Sequence, residues 1–414
     1  MVWVISIAAG SALLWGVAHR RLQEFAISGP LLMVLVGALI GLIVQDEAYK
    51  FFNSEVALLS AELLLALILF TDATNLRGTF RSHFASIPLR LLLIALPLSL
   101  ILTTAVGLVL PMHLSFAAIL CIACIAVPSD FAPEARLLRD GRVPARIRRW
   151  LSIESGYNDG LLSPIFLGSL ALAASTPGSH VSDAGQAILL AAPSGLIAIL
   201  VGGAIGIVVG GIVRWTHQRG WTDAQGARIA VLALPFLTFV IAVALLGNGF
   251  VAAFVCGVAY RLGRGRGDAT EEELVLADDV NSILTLLLWL AFGVAVVVLI
   301  SEPYDWWPTV LLAIFTLTLG RFIPVYLALG GTRLPGRDKL FIASFGPRGV
   351  ASIVFGLIAF NRFPKDEAFS LLAATAVVVL GSLLIHGISA PFAVRALYPP
   401  RQGFQAQGPA AQRR

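Results

Sequence analysis

The chain has 414 residues, of which 58% are hydrophobic and only 13% are charged, and its mean hydropathy is +0.88. A soluble globular domain is roughly 45–50% apolar and about 25% charged. This composition excludes an ordinary soluble enzyme and predicts an all-α polytopic membrane protein. The net charge of +5 follows the loops between apolar runs, so we interpret it as a topology signal and expect no nucleic-acid partner.

Apolar runs follow one another along the whole chain and predict about thirteen membrane-spanning helices, with twelve as the alternative because several runs are short or rich in glycine. The predicted spans are residues 2–18, 27–44, 55–74, 85–110, 114–138, 147–174, 185–213, 224–247, 249–262, 275–300, 306–330, 338–361 and 367–397.

Basic residues concentrate in the odd-numbered connections between these spans, whereas the even-numbered connections carry only Lys50, Arg362 and Lys365. Lys and Arg mark cytoplasmic loops. We therefore expect a cytoplasmic-membrane protein with its N-terminus outside and its C-terminus inside. The first run lacks a basic n-region and a small-residue cleavage site, so it is predicted to be a first span, and residues 399–414 to be a disordered tail.

The fifth predicted span is interrupted by "AVPSDFAPEARLLRD" at residues 126–140. Pro128 and Pro133 each lack the N–H that the carbonyl four residues earlier requires in a helix. Free carbonyls are costly in lipid, so this segment must be buried in protein or line a cavity. Asp130 lies between the two prolines and places a charge at the break.

The twelfth predicted span is interrupted in a similar way by "ASFGPRGVASIVFG" at residues 343–356, where Gly346, Pro347 and Gly349 surround Arg348. The two broken spans are seven positions apart and therefore run in opposite directions. This arrangement predicts inverted repeats with two broken helices that cross at a binding site near the membrane midplane. A packing kink is the alternative for either break alone, but two matching breaks that each carry a charge favour the binding site.

The sixth predicted span contains "LSIESGYNDGLLSPIF" at residues 151–166. Glu154 and Asn158 are four residues apart and share one helix face, and Ser155 and Asp159 share a neighbouring face. A charge at the centre of a membrane helix costs about 2.5–3.5 kcal/mol or more, which makes it a functional hypothesis by default. The structural alternative is an ion pair that only fixes packing.

Two intramembrane arginines are available as partners for the three acids. We expect Arg321, in the uninterrupted span "TLGRFIPVYL", to pair with Glu154, and Arg348 to compensate the helix break or Asp130. Asp159 is then left without an obligatory basic partner. A proton or a metal cation can neutralise it, and competition between the two is the chemistry of an antiporter.

The oxygens near Asp159 suit a hard monovalent cation. The expected ligands of a sodium ion are the Asp159 carboxylate, the Ser155 hydroxyl, a Glu154 oxygen and a carbonyl near Ser129. No Cys or His cluster joins them, which disfavours a soft transition metal, and we expect no resident cofactor. Asn158 is counted among the cation- and proton-binding residues, but its amide cannot carry a second proton, so the sequence predicts electroneutral exchange of one proton for one cation.

These motifs resemble the monovalent cation:proton antiporter family, in its sodium/proton exchanger branch. The resemblance rests on "SD" at 129–130, "ESGYND" at 154–159, Arg321 and "GPRGVAS" at 346–352. It implies a homodimer in which a core domain of six helices moves against a dimerisation domain by elevator-like alternating access. By the same resemblance Asp159 carries the cation and the proton, Arg321 pairs with the motif glutamate, and the surrounding site positions are Asp130, Glu154, Ser155 and Ser129.

The resemblance also implies a division of the chain into domains. The dimerisation domain comprises helices 1–3 and 8–10, the core domain comprises helices 4–6 and 11–13, helix 7 links them, and a cytoplasmic tail follows. The corresponding segments are 1–84 and 224–304, 85–175 and 305–398, 176–223, and 399–414. Two departures from the family pattern bear on carbonyl geometry: Pro128-Ser129-Asp130-Phe131 replaces Thr-Asp-Pro, and Pro347 replaces a leucine.

An ion-coupled organic-solute carrier on a similar inverted-repeat fold is the alternative function. It would require a larger polar cavity with more Asn, Gln and Thr than the broken spans contain. An ion channel would require repeated filter residues, and an intramembrane enzyme would require a Ser–His pair or a metal-ligand set; neither pattern appears, so we expect a transporter and not an enzyme.

Asp72 is predicted to be a surface cap or funnel charge, and Glu62 either a pore-lining or an interface acid.

Overall fold

A computed structural model describes residues 2–24, 28–44, 52, 54–75, 86–175, 179–265 and 269–399. Its first helices are α1 (Val2–Glu24), α2 (Gly29–Gly41), α3 (Glu55–Asn75), α4 (Ser86–Arg90, continued by a π-helical turn Leu91–Ala95 and by Leu96–Val109), α5 (Phe116–Ala126), α6 (Ala135–Arg139), α7 (Ala145–Ser175) and α8 (Ala184–Gln218). The remaining helices are α9 (Ala224–Ala244), α10 (Gly249–Arg264), α11 (Ala269–Ser301), α12 (Trp306–Leu317), α13 (Leu319–Ala328), α14 (Gly336–Ser344), α15 (Val350–Arg362) and α16 (Lys365–Leu397).

The predicted all-α polytopic fold is confirmed. Seven segments of the described chain are long and apolar enough to cross a membrane, and shorter apolar helices occur at α1, α2, α5 and α15. Each predicted span coincides with one helix or with two consecutive helices. Lys50 and the predicted tail from residue 400 onward lie outside the described residues.

The two predicted breaks are present and they cross. α5 ends at Ala126 and regular helix resumes only at α6, while α14 ends at Ser344 and α15 begins at Val350. The backbone amide of Asp130 donates a hydrogen bond of 2.7 Å to the carbonyl of Pro347, which joins one irregular segment to the other. The prolines and glycines stop the helices, and the crossing then supplies hydrogen-bond partners that lipid cannot.

The span containing Arg321 was expected to be uninterrupted, and this expectation is wrong. α12 ends at Leu317 and α13 begins after Thr318, whose φ of −114° and ψ of −93° are not helical. The Thr318 hydroxyl donates to the carbonyl of Ile314 at 2.6 Å. Such a bond competes with the backbone ladder and bends membrane helices, which gives a physical reason for the kink.

The helices form two groups: α1–α3 and α8–α11 are called the scaffold helices, and α4–α7 and α12–α16 are called the core helices. Glycines allow very close packing within the scaffold: a Cβ on Gly202 would lie 2.3 Å from the carbonyl oxygen of Ala252, and one on Gly37 would lie 2.0 Å from that of Leu290. α8, expected to be a linker, therefore packs directly along α10. The predicted domain boundaries stay predictions.

Candidate functional site

Asp130 holds the two broken helices together. Its Oδ2 accepts a hydrogen bond from the amide of Val350 at 3.0 Å, and its Oδ1 accepts one from the amide of Ala132 at 2.8 Å. These amides begin a helix and a turn, where backbone donors lack partners of their own. A Cβ on Gly349 would lie 2.1 Å from Oδ2, so only glycine leaves room for this carboxylate.

Arg348 compensates the helix break, one of the two roles left open by the sequence. Its buried guanidinium donates to the carbonyls of Ala126 and Gly346, which lie at the end of α5 and inside the second break. Its backbone amide donates to the Ser382 hydroxyl at 2.7 Å. Asp130 instead obtains its hydrogen bonds from backbone amides.

Glu154 and Arg321 form a buried, two-pronged ion pair. Arg321 Nη1 lies 2.7 Å from Glu154 Oε1, and Nη2 lies 3.1 Å from Oε2. Arg321 Nε also donates to the carbonyl of Phe345 at 2.8 Å, and the Ser129 hydroxyl lies 3.4 Å from Glu154 Oε1. Both carboxylate oxygens are therefore already engaged by the protein.

Asn158 ties α7 to the first break. Its Nδ2 donates to the carbonyl of Ser129 at 2.8 Å and lies 3.1 Å from the Ser129 hydroxyl. The carbonyl that we expected to be free thus accepts an amide hydrogen bond, although its second lone pair can still bind a cation. The sequence placed Asn158 among the cation- and proton-binding residues and related it to stoichiometry, but it did not predict this anchoring contact.

Asp159 has a different environment. The residue is 4% exposed, and its Oδ1 is buried with no hydrogen-bond partner among the described residues. Asp130 and Asp72 add negative potential at this carboxylate, and Arg348 adds positive potential without pairing with it. A buried charged group without a partner is expensive, so this position requires a proton or a cation.

Ser155 lies one helical turn before Asp159 on α7, so the two residues share a face. Its hydroxyl is 3.4 Å from the backbone amide of Phe131, next to the first break. On the same helix, a Cβ on Gly160 would lie 2.9 Å from the ring of Phe254 in α10. The residues around Asp159 therefore lie where a core helix packs against a scaffold helix.

Within the described part of the chain, no three His, Cys, Asp or Glu side chains converge as metal ligands. The expected sodium site does not require such a group, because it combines carboxylate, hydroxyl and carbonyl oxygens. Hard cations accept this mixed set of ligands. The structure brings Ser129, Glu154 and Asn158 into direct contact and places Ser155 and Asp159 beside them.

One further carboxylate, that of Asp72, lies near the site, and a second, that of Asp278, lies near Asp72. Asp72 of α3 is half-buried and lies within electrostatic reach of Asp159, Asp130 and Asp278. We predicted a surface cap or funnel charge for Asp72 and did not consider Asp278 of α11. The available pattern was the acidic pair in "ADDV" at 277–280, at the start of a long apolar run.

Glu62, whose role the sequence left open, pairs with Arg362. The Arg362 Nη2 to Glu62 Oε1 distance is 3.4 Å, and the Arg362 side chain is exposed. The pair joins α3 of the scaffold to α15 of the core. An exposed pair of this kind contributes only about 0–1 kcal/mol, so it is a weak contact between the two groups of helices.

The comparisons with known proteins agree with this geometry. The family model described as "Sodium/hydrogen exchanger, transmembrane" matches residues 7–396. The chain is 25% identical over 368 residues to a probable Na+/H+ antiporter of Schizosaccharomyces pombe, with 80% of this chain and 47% of the relative covered. It therefore spans about half the length of that relative.

Two further matches come from prokaryotes. The K+/H+ antiporter NhaP of Alkalimonas amylolytica is 24% identical over 383 residues, with 88% of this chain and 62% of the relative covered. The structure of the sodium proton antiporter MjNhaP1 from Methanocaldococcus jannaschii superposes with a TM-score of 0.74 at 18% identity, covering 94% of this chain and 99% of that one. With a family match across nearly its whole length, the chain belongs to the transmembrane sodium/hydrogen exchanger family.

Proposed function

We propose that the protein is a secondary transporter that exchanges sodium, or another alkali cation, for a proton by alternating access. The observation that carries this proposal is the buried Asp159 carboxylate, which has no hydrogen-bond partner at Oδ1 among the described residues and lies beside two crossing broken helices. One carboxylate binds either a proton or a cation well, but not both. Loading one species therefore releases the other.

The exchange is electroneutral in this proposal, with one proton for one cation. Glu154 is paired with Arg321 at 2.7 Å, and in this proposal it carries no transported proton. Asn158 is an amide that does not titrate. Asp159 alone changes its occupant, and the net charge moved per cycle is zero, so concentration gradients drive transport and voltage does not.

The cation itself is proposed as sodium, with lithium and potassium to be ranked by experiment. The relatives' names mention both sodium and potassium. The cation ligands in this proposal are Asp159, Ser155, a Glu154 oxygen and the Ser129 region. We further propose a homodimer in the cytoplasmic membrane with its C-terminus inside and a role in pH homeostasis, and the alternation of basic loops supports that orientation.

The organic-solute alternative receives no specific support. A roomy substrate cavity needs polar side chains that face an open space. At the crossing, the polar side chains instead bond to one another: Arg321 to Glu154, and Asn158 to Ser129.

The proposal is tested in proteoliposomes with an acidic interior and a pH-sensitive dye. Sodium, lithium, potassium or choline is added outside, with and without clamping of the membrane voltage. We expect alkali cations, and not choline, to collapse the pH gradient at a rate that clamping leaves unchanged. A pH series in which no alkali cation moves protons would reject the antiporter and move the organic-solute carrier to first place.

A further variant tests the contact between Asn158 and the first break. Asn158→Asp places a second acid beside Asp159 and removes the amide that donates to the Ser129 carbonyl at 2.8 Å. We expect exchange to fall roughly tenfold, as one buried acceptor without its donor costs about 1–3 kcal/mol. If the variant exchanges at the wild-type rate, the amide is not the anchor of the first break.

A further inference from the structure

Exposed arginines collect at one end of the core helices. The core arginine face is defined here as Arg136, Arg139, Arg142, Arg146, Arg149, Arg333, Arg337 and Arg395. The buried Asp338 joins the elements that carry them: it pairs with Arg146 of α7 at 2.9 Å and accepts a hydrogen bond from Tyr398, after α16, at 3.0 Å. The arginines therefore share one surface although they are far apart in sequence.

The carboxylates on this surface neutralise few of the arginines. Asp140 pairs with Arg142 at 2.6 Å, and hydrogen bonds from that guanidinium hold the pKa of Asp140 below its usual range. Asp338 pairs with Arg146 and lies 3.6 Å from Arg337, and Glu134 lies within electrostatic reach of Arg136 without pairing with it. The arginines that form no ion pair with a carboxylate of the described residues are Arg136, Arg139, Arg149, Arg333 and Arg395.

The scaffold helices have a mixed charge at the same end. α7 begins at the arginine face, and α8 returns antiparallel beside it, so the last turn of α8 lies at the same membrane surface. The described cations at this end are Arg21, Arg214, Arg219, Arg228 and Arg261, and Arg264 is buried against Glu273 at 2.7 Å. They are offset by a similar number of acids: Asp72, Asp223, Glu271, Glu272, Asp278 and Asp279.

The segregation of charge requires an explanation beyond topology. The preference of basic residues for one side of a membrane applies equally to both groups of helices. Here the described scaffold end is balanced while the core end is strongly basic. An excess of positive charge confined to one group of helices marks a surface that meets an anionic partner.

The position of the face identifies the partner. The arginines lie at helix ends, where headgroup phosphates are found, and a guanidinium binds a phosphate with two parallel hydrogen bonds. Apolar surface accompanies the charge: Trp150 packs partly buried against the core helices, and Leu340 is 40% exposed. Arg148 donates to the carbonyl of Leu138, while its Nε has no partner among the described residues.

We propose that the core arginine face binds the headgroup phosphates of anionic phospholipids and that the corresponding end of the scaffold does not. The binding itself is independent of the transported ion. The proposed function includes alternating access. If the core moves against the scaffold during that exchange, anionic lipids attached to the core will change the rate of the motion. The lipid dependence then belongs to the moving part of the protein.

The test compares two matched variants of the full-length protein. The core variant combines Arg136→Gln, Arg139→Gln and Arg149→Gln, and the scaffold variant combines Arg214→Gln and Arg219→Gln. Purified proteins in a neutral detergent receive phosphatidylglycerol or phosphatidylcholine, and native mass spectrometry counts the lipids retained. A parallel arm adds millimolar inorganic phosphate as a competitor, to separate a headgroup site from a free-phosphate site.

We expect the wild type and the scaffold variant to retain phosphatidylglycerol over phosphatidylcholine. Each arginine near an anionic surface contributes about a fivefold factor in binding, so the core variant should bind at least tenfold more weakly. Thermal unfolding checks that the variants are folded, and Arg→Lys at the same core positions keeps the charge should the Gln variant not fold. Equal retention by the core variant, equal loss by the scaffold variant, or complete displacement by inorganic phosphate would overturn the proposal.

Discussion

Two buried Arg–Glu pairs with similar distances lie in different parts of the molecule. In the core, Nη1 and Nη2 of Arg321 donate to the two oxygens of Glu154 at 2.7 and 3.1 Å, across 167 residues of sequence. In the scaffold, Nη2 and Nε of Arg264 both donate to Oε1 of Glu273, at 2.7 and 2.8 Å, across nine residues. Pairing chemistry therefore does not distinguish a transport site from a structural contact.

The neighbours of the two pairs make the difference. Glu273 also accepts a hydrogen bond of 2.7 Å from the hydroxyl of Tyr260, so both of its carboxylate oxygens have hydrogen-bond partners. Beside Glu154 lies Asp159, whose buried Oδ1 has no partner among the described residues. An ion pair therefore stabilises a membrane protein locally, whereas the carboxylate left out of the pairing is the group that we propose binds the proton or the cation.

The largest effect is expected from Asp159→Asn. The amide has nearly the same shape but cannot release a proton or neutralise a cation, so we expect exchange to fall at least a hundredfold with folding preserved. Proton movement in proteoliposomes measures it, and the control is Asp140→Asn, which changes a half-buried aspartate in the loop between α6 and α7. Retained exchange in Asp159→Asn would remove the carrier assignment.

Two variants, Glu154→Gln and Glu273→Gln, test whether the two ion pairs differ in function. Each variant leaves a buried guanidinium without its carboxylate, which destabilises a protein by about 3–5 kcal/mol. We expect both to lower the unfolding temperature to a similar extent. At a temperature where both are folded, only Glu154→Gln should raise the KM for sodium, because only Glu154 lies at the proposed cation site.

An increase in the sodium KM of Glu273→Gln equal to that of Glu154→Gln would break the distinction between the pairs. It would show that any buried pair influences cation binding through the fold as a whole.

Gly349→Ala should have a smaller effect than the loss of a charge. The added Cβ would lie 2.1 Å from Asp130 Oδ2 and would displace the carboxylate that holds the crossing. We expect at least a tenfold loss of exchange in the proteoliposome assay. Gly211→Ala is the control, since a Cβ there meets nothing within 4 Å, and an equal loss in both variants would contradict the steric argument.

Asp72→Asn should give the smallest effect. Asp72 acts on Asp159 through its field without pairing with it, so its removal weakens the attraction of cations to the site. We expect a two- to fivefold increase in the sodium KM with little change in maximal rate, and a larger difference at low ionic strength, where charges are screened less. An unchanged KM at low salt would return Asp72 to a surface role.

The sequence could predict the helices and the positions of both breaks because apolar runs, prolines and glycines act locally. It also favoured Arg321 over Arg348 as the partner of Glu154. It failed at Thr318, where a side-chain hydroxyl bends a span that looked continuous. Backbone bends caused by a single threonine are not visible in hydropathy.

Contacts between distant elements were largely beyond sequence reasoning. The bond from Asn158 to the Ser129 carbonyl joins α7 to the first break, 29 positions earlier in the chain. The proximity of Asp72 to the site, and of Asp278 to Asp72, depends on how α3 and α11 pack, which helical periodicity does not determine. One sequence can nominate polar residues in a membrane helix, but only the packed structure shows which of them remain without a partner.

The central claim is that a cation and a proton compete for Asp159. The most direct measurement is proton release when sodium is added to the purified protein in weakly buffered detergent solution, with choline as the control. We expect the wild type to release one proton per sodium ion bound and Asp159→Asn to release none. Sodium binding without proton release, or equal release by Asp159→Asn, would contradict it.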